Sequence, residues 1–210
     1  MYVPRHFEET RLPVIHGLIE AHPFGTLVTM GSAGLIASHI PLVLERDGTE
    51  LGVLRGHLSR ANAQWKEFST DVEALAIFSG PHHYVTPTWY PEKAETGKVV
   101  PTWNYAVVHA YGRVSIHENA DWLRAHLETL TNIHEAGSAT PWKVADAPDE
   151  YVSAMMKGIV GFELAVTRLE GKWKASQNRS ERDRAAVAEG LGKLGTEDSR
   201  AMKVLVERSG

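Results

Sequence analysis

The segment Gly56-His57-Leu58-Ser59-Arg60-Ala61-Asn62 puts a hydroxyl and a guanidinium at what reads as the start of a short helix. A hydroxyl donates a hydrogen bond, a guanidinium gives paired charged donors, and a helix N-terminus offers free N–H groups. Together they suit a phosphate. The same residues also read as an ordinary N-cap, Ser59, followed by a solvated charge, Arg60. A second donor-rich stretch, Lys172–Arg184 (KWKASQNRSERDR), holds five basic and two acidic residues. Gln177 and Arg179 there are candidate ligand contacts, and a mixed, solvated helix start is the plainer alternative. Tyr84, Trp89, Tyr90, Trp103 and Tyr105 concentrate in one region. Such rings suit a flat heteroaromatic ligand, and equally a dimer interface or the closed end of a barrel.

Other chemistries lack support. The eleven histidines include His39, His57, His82, His83 and His109 on or beside expected strands, but no HExxH or comparable ligand spacing occurs. They read as hydrogen-bonding residues of strands. The absence of cysteine removes disulfides, thiolate zinc sites, iron–sulfur clusters and cysteine nucleophiles. No GxGxxG follows a strand, and there is no P-loop and no GxSxG elbow, which disfavours nucleotide folds and hydrolases. A net charge of −4 gives no basic footprint of the kind nucleic-acid binders carry.

The elements that must position these residues follow from apolar spacing. Leu12, Ile15, Leu18 and Ile19 have helical period, with Pro13 suited to a first turn. Strands are expected at 26–30, 35–45, 51–56 and 73–79, with Arg46-Asp47-Gly48-Thr49 as a hairpin turn. Residues 60–68 read as a short helix and 80–102, with four prolines, as a long structured loop. A long strand is expected over 103–117, as one piece or two with a bulge at Gly112. Asn119 caps a helix carrying Trp122, Leu123, His126, Leu127 and Leu130, a second helix runs near 148–157, and 159–169 is a strand. Ser180 and Thr196 start two helices in the tail. Strands joined by hairpins predict a mainly β chain, an antiparallel barrel with peripheral helices. With 210 residues, 43% apolar and 23% charged, one domain with a small appendage is expected. The N-terminus has no signal-peptide pattern and no apolar run reaches membrane-spanning length, so a cytoplasmic protein without membrane contact is expected.

Several long strings, in order, resemble the PaiB family, FMN-binding negative transcriptional regulators. They are MYVPRHFEE, AHPFGTLVT at 21–29, SHIPL at 38–42, GHLSRANAQW at 56–65, FSGPHHYVTPTWYP at 78–91, VPTWNYAVVHAYGR at 100–113, KGIVGFEL at 157–164 and KASQNRSERDRAAVAEGL at 174–191. The resemblance implies a split β-barrel of the FMN-binding, pyridoxamine-phosphate-oxidase-like kind over 1–175, with a helical C-terminal extension over 176–210. It also implies a homodimer with two symmetric sites and contact with DNA. By that likeness His39, Ile40, Pro41 and Leu42 line the flavin, and Gly56 and His57 lie near the ribityl chain or phosphate. Ser59 and Arg60 hold the phosphate with Asn62 nearby, Tyr84 and Trp89 approach the ring, and Gln177 and Arg179 come from the C-terminal region. Ala61 and His39 stand where the related oxidases usually have lysine and arginine, which thins the positive lining. The function implied is a non-enzymatic FMN-binding regulator. The alternatives are a flavin-dependent oxidoreductase of the split-barrel group and a dimeric binding module with weak flavin affinity.

Overall fold

Alternation of buried and open positions runs along most of the long strands. The computed structural model describes residues 1–46 and 48–208. Its strands are β1 (Glu8–Glu9), β2 (Phe24–Gly31), β3 (Gly34–Pro41), β4 (Val43–Glu45), β5 (Val53–Ser59), β6 (Ala74–Val85), β7 (Thr102–His117) and β8 (Ile159–Lys174). Its helices are α1 (Leu12–Ala21), α2 (Gln64–Glu67), α3 (Glu92–Thr96), α4 (Ala120–Glu135), α5 (Asp149–Met156), α6 (Glu181–Leu194) and α7 (Glu197–Arg208). The strand order is β3-β2-β6-β7-β8-β5-β4, with β1 also on β8. The β1–β8, β2–β3, β2–β6, β4–β5 and β5–β8 pairings are antiparallel. This is the split-barrel-like antiparallel sheet with added helices that the sequence predicts. Among the described residues, no helix is long and apolar enough to cross a membrane.

Four local expectations change. The single strand expected over 35–45 breaks at Leu42, whose side chain is buried and whose N–H donates to Pro23 O at 2.9 Å. β3 therefore pairs with β2 while β4 pairs with β5. The expected turn at 46–49 joins that second pair, although Asp47 lies outside the described residues. β5 continues through Ser59, and the helix expected over 60–68 shrinks to the four residues of α2. β6 runs on to Val85, into the expected loop and through Pro81. β2 pairs only with Leu75–Ile77 of β6, so Pro81 needs no N–H for that ladder. β7 is one unbroken strand, and a Cβ on Gly112 would stand 2.1 Å from Ala165 O, so glycine here permits close strand approach.

The chain divides into two compact units. One holds Met1–Ala21, Ser79–His109 and the chain from Glu170 onward. Here Val187 and Leu191 of α6 and Met202 and Val206 of α7 close over Val85, Tyr90 and Ala175. Ser180 caps α6 by accepting the Asp183 N–H, and Thr196 Oγ1 accepts the Ser199 N–H. The other unit holds His22–Phe78 and Ala110–Leu169. Its core centres on Leu27, Leu42, Leu54, Phe78, Phe162 and Leu164. A second apolar cluster joins Leu123 of α4, Val144, and Val152 and Met156 of α5. Asn119 caps α4 through its side-chain oxygen, which accepts from Asp121 N and Trp122 N.

Candidate functional site

At the end of β5 the backbone turns instead of entering a helix. Ser59 is exposed, and its Oγ accepts the Ala61 N–H at 3.3 Å. Asn62 sets the turn: its Oδ1 accepts the Gln64 N–H at 3.0 Å and its Nδ2 donates to Ser38 Oγ at 3.0 Å. An asparagine bonded to its own backbone two residues on competes with helix formation, so the expected helix start at Ser59 is absent. Gln64 is 1% exposed and donates to Leu27 O and Thr29 Oγ1, which pins the turn to β2. Arg60 is engaged at every branch of its guanidinium. Nε donates to Lys157 O at 3.1 Å, Nη2 to Ile159 O at 3.2 Å and Nη1 to Glu118 Oε2 at 2.5 Å. It thus ties the end of β5 to the start of β8.

The other residues implied for this unit lie along β3 and its exit at Leu42 and along β5, where Leu42 packs by Gly56. Ile40 and Leu42 are core residues and Pro41 is half-buried. His39 is exposed, with Nδ1 2.8 Å from Thr26 Oγ1. A Cβ on Gly56 would stand 2.8 Å from Phe162 Cζ, so this glycine serves core packing. His57 points to the opposite face of β5 from Gly56 and meets α4, where its Nδ1 lies 3.2 Å from His126 Nε2.

That contact belongs to a layered cluster. His117 stacks on Trp122 at 4.4 Å, and Trp122 stacks on His126 at 5.4 Å. Arg55 and Glu163 are direct cross-strand partners, and Arg55 Nε donates to Glu163 Oε1 at 2.7 Å. Glu163 also faces His117 Nε2 at 3.1 Å and accepts from Trp122 Nε1 at 3.4 Å. Burial alone would raise the Glu163 carboxyl, but bonding to Arg55 and its charge outweigh that and hold it below the usual range. His57 is pushed down by burial. His126 is pushed down to about 4 by burial, with the charges of His57 and Arg55 adding to it. Gly161, paired with His57 across the ladder, lies under Trp122, where a Cβ would stand 2.1 Å from the ring. Among the described residues, no three metal-binding side chains converge.

Tyr84, Trp89, Gln177 and Arg179 lie in the other unit. Tyr84 is exposed and meets Trp103 edge-on, while His82 stacks on the same ring. Trp89 packs on Gly190 of α6. Gln177 is used locally, accepting from Ala175 N and donating to Trp173 O. Arg179 lies over the Tyr90 ring at 4.8 Å. Nearby, buried Lys172 donates to Tyr2 O, and Lys174 donates to Thr102 Oγ1 and Trp103 O. Asn104 Nδ2 donates to Ser176 Oγ at 2.8 Å, leaving its buried Oδ1 without a partner.

Sequence reasoning missed Arg55, His117, Trp122, His126 and Glu163 as a group. Two signals were available: Arg55 and His57 alternate on one strand face, and Trp122 and His126 are four apart on one helix. Lys172 and Lys174 carry the same strand signal.

The family model described as "Putative FMN-binding domain" matches residues 1–168. The chain is 32% identical to "Protease synthase and sporulation protein PAI 2" of Bacillus subtilis, covering 99% of this chain and 97% of that protein. The chain belongs to the PaiB family of FMN-binding domains. Another relative, the uncharacterized protein AN0679 of Emericella nidulans, is 36% identical over 100% of this chain and 98% of its own length. The flavocytochrome Anf3 of Azotobacter vinelandii shares the fold at TM-score 0.59 and 13% identity, covering 88% of this chain and 78% of that one. The FAD and heme binding protein of Mycobacterium smegmatis does so at TM-score 0.57 and 14% identity, covering 84% and 78%.

FMN is the cofactor that PaiB-family membership assigns to this chain. The residues present fit a phosphate-bearing group. Lys172, Lys174 and Arg179 have no carboxylate ion pair among the described residues. Lys174 is pushed down by burial, and by the neighbouring charges of Lys172 and Arg179. An anion placed among these cations relieves that repulsion.

Proposed function

We propose that the protein is a cytoplasmic, homodimeric FMN-binding protein that acts as a negative regulator of transcription. The observation that supports a phosphate site is the group Lys172, Lys174 and Arg179 around the turn at Ser176, which has no carboxylate ion pair among the described residues. Its members are the proposed phosphate contacts, whereas the charge of Arg60 is already met by Glu118. Bound FMN would supply the redox chemistry, and the chain would hold and orient it.

The dimer reading rests on a bare apolar face of the β2–β3 hairpin. Phe24 and Leu35 are 68% and 73% exposed, and Leu35 pairs with Met30, itself exposed. Contiguous patches of this kind mark interaction surfaces. The regulatory reading comes from family membership, and the name of the Bacillus relative ties that protein to protease synthesis and sporulation.

Flavin titration tests the assignment. Lys174→Met should weaken FMN binding by about tenfold while leaving riboflavin, which lacks the phosphate, unaffected. A loss confined to Arg60→Ala would move the phosphate to the end of β5. Sedimentation of Leu35→Glu tests the dimer. Gel shifts at several salt concentrations test direct repression, which a lack of salt-sensitive DNA binding would remove.

A further inference from the structure

We propose that the cavity beneath α4 and α5 binds a small uncharged aromatic molecule bearing one hydrogen-bond acceptor, and that His57 donates to that acceptor. The cavity has a volume of about 300 Å³ and lies wholly within the unit that holds His57. That volume is at the lower end of the range for ligand pockets, about 300–1,000 Å³, and suits one or two rings. Leu127, Trp142, Tyr151, Val152 and Met155 form much of its wall, and among the described residues no lysine, arginine, aspartate or glutamate lines it. Ions are therefore poor occupants, because nothing in the wall repays their lost hydration. Trp142, Tyr151 and Met155 each remain about half exposed. Aromatic rings and a pliable thioether can fold onto a flat apolar guest and bury their own surface in doing so.

His57 is one of the few polar groups in that lining, and its protonation follows from its neighbour. His57 Nδ1 and His126 Nε2 share one proton across 3.2 Å. His126 Nδ1 is buried with no partner. If His126 Nε2 were the acceptor, its Nδ1 would carry an orphaned N–H. The opposite assignment leaves only a bare lone pair, the cheaper of the two defects. His126 Nε2–H therefore donates to His57 Nδ1, and the His57 proton sits on Nε2. Among the described residues that N–H has no acceptor, and an apolar cavity holds water poorly. A carbonyl or ether oxygen on the guest supplies what the site lacks. These walls do not suit a ribityl chain or a phosphate, and the cavity uses none of Lys172, Lys174 or Arg179.

Acetophenone and ethylbenzene, close in shape and differing in the acceptor, provide the test on the full-length, FMN-loaded protein. The methyl resonances of Met155 and Met156 report occupancy, and ring-nitrogen spectra report the His57 tautomer. Acetophenone should bind roughly three- to tenfold more tightly than ethylbenzene, the worth of one neutral hydrogen bond. His57→Leu should abolish that preference and keep ethylbenzene binding. Val152→Trp should exclude both molecules and leave FMN affinity unchanged. The ligand comparison on the unaltered protein stands even if a variant fails to fold. Equal affinity for the two molecules, or no shift of either methionine up to the solubility limit, overturns the proposal.

Discussion

The imidazoles of His57 and His126 meet at 3.2 Å, joining the face of β5 to α4 through two side chains that both resist protonation. Arg55 on β5, with its carboxylate partners Glu45 on β4 and Glu163 on β8, and His117 beside Glu163 are the other titratable or charged groups around the cluster among the described residues. The folded pKa of His126, about 4, lies below its ordinary value of 6.5, so the unfolded chain binds the proton more readily. Its contribution to stability is fully present above pH 6.5 and is lost as pH falls from 6.5 to about 4. The loss amounts to about 3 kcal/mol. Urea unfolding at pH 7 and pH 4.5 should record it. His126→Phe should flatten the difference, and an unchanged pH profile in that variant would count against this origin.

Arg60 should matter to the fold before any cofactor is present. Arg60→Ala removes bonds to Lys157 O and Ile159 O and the pair with Glu118. Because the ion pair is substantially exposed, the cost should be roughly 1–2 kcal/mol, mostly from the backbone carbonyls. Denaturant unfolding of the flavin-free protein checks this. Arg60→Lys should recover little, since an ammonium cannot reproduce the guanidinium fork.

Two glycines should respond in opposite ways to alanine. At Gly161 a Cβ would stand 2.1 Å from Trp122 Cζ3, so the ring must leave its place between His117 and His126. A loss of about 1–3 kcal/mol is expected, with a change in the near-ultraviolet circular dichroism. Gly17 lies inside α1 with nothing within 4 Å of the added methyl. Gly17→Ala should raise stability by about 0.8–1 kcal/mol, read as a higher unfolding midpoint.

The cap of α6 is a third test of local chemistry. Ser180 Oγ accepts the Asp183 N–H and donates to the buried Asp183 carboxylate at 3.0 Å. Ser180→Ala should cost about 1–2 kcal/mol, and Ser180→Thr should restore much of it.

Features governed by neighbours in sequence were legible in advance. The period of Ile15, Leu18 and Ile19 gave α1, and Asn119 and Ser180 gave the starts of α4 and α6. Features governed by distant partners were not. Pro41 is a local hint of a break, but its place at Leu42 is set by the burial of that residue and its bond to Pro23. Ser59 and Arg60 carry the pattern of a helix start, yet Asn62 and Gln64 claim that backbone through Ser38, Leu27 and Thr29. The same limit applies to the site. His57 was visible as a candidate, but its partner is 69 residues away, and only the packing of α4 on β5 and β8 brings them together. The cations at 172, 174 and 179 were in view as composition, whereas their having no carboxylate ion pair among the described residues is a property of the folded chain.

The matched FMN-binding domain ends at residue 168, but the apolar cluster around Val85 and Tyr90 is completed by Ala175, Leu191 and Met202. A polypeptide cut at that boundary would therefore present the cluster to water, at about 1.5–3 kcal/mol for each large side chain uncovered. The folding unit runs past the edge of the matched domain, and the Bacillus subtilis relative shares that added stretch. A lesion in the apolar face of α6 or α7 would be felt first as insolubility, and then, through Tyr90 and the Arg179 above it, at the proposed phosphate contacts.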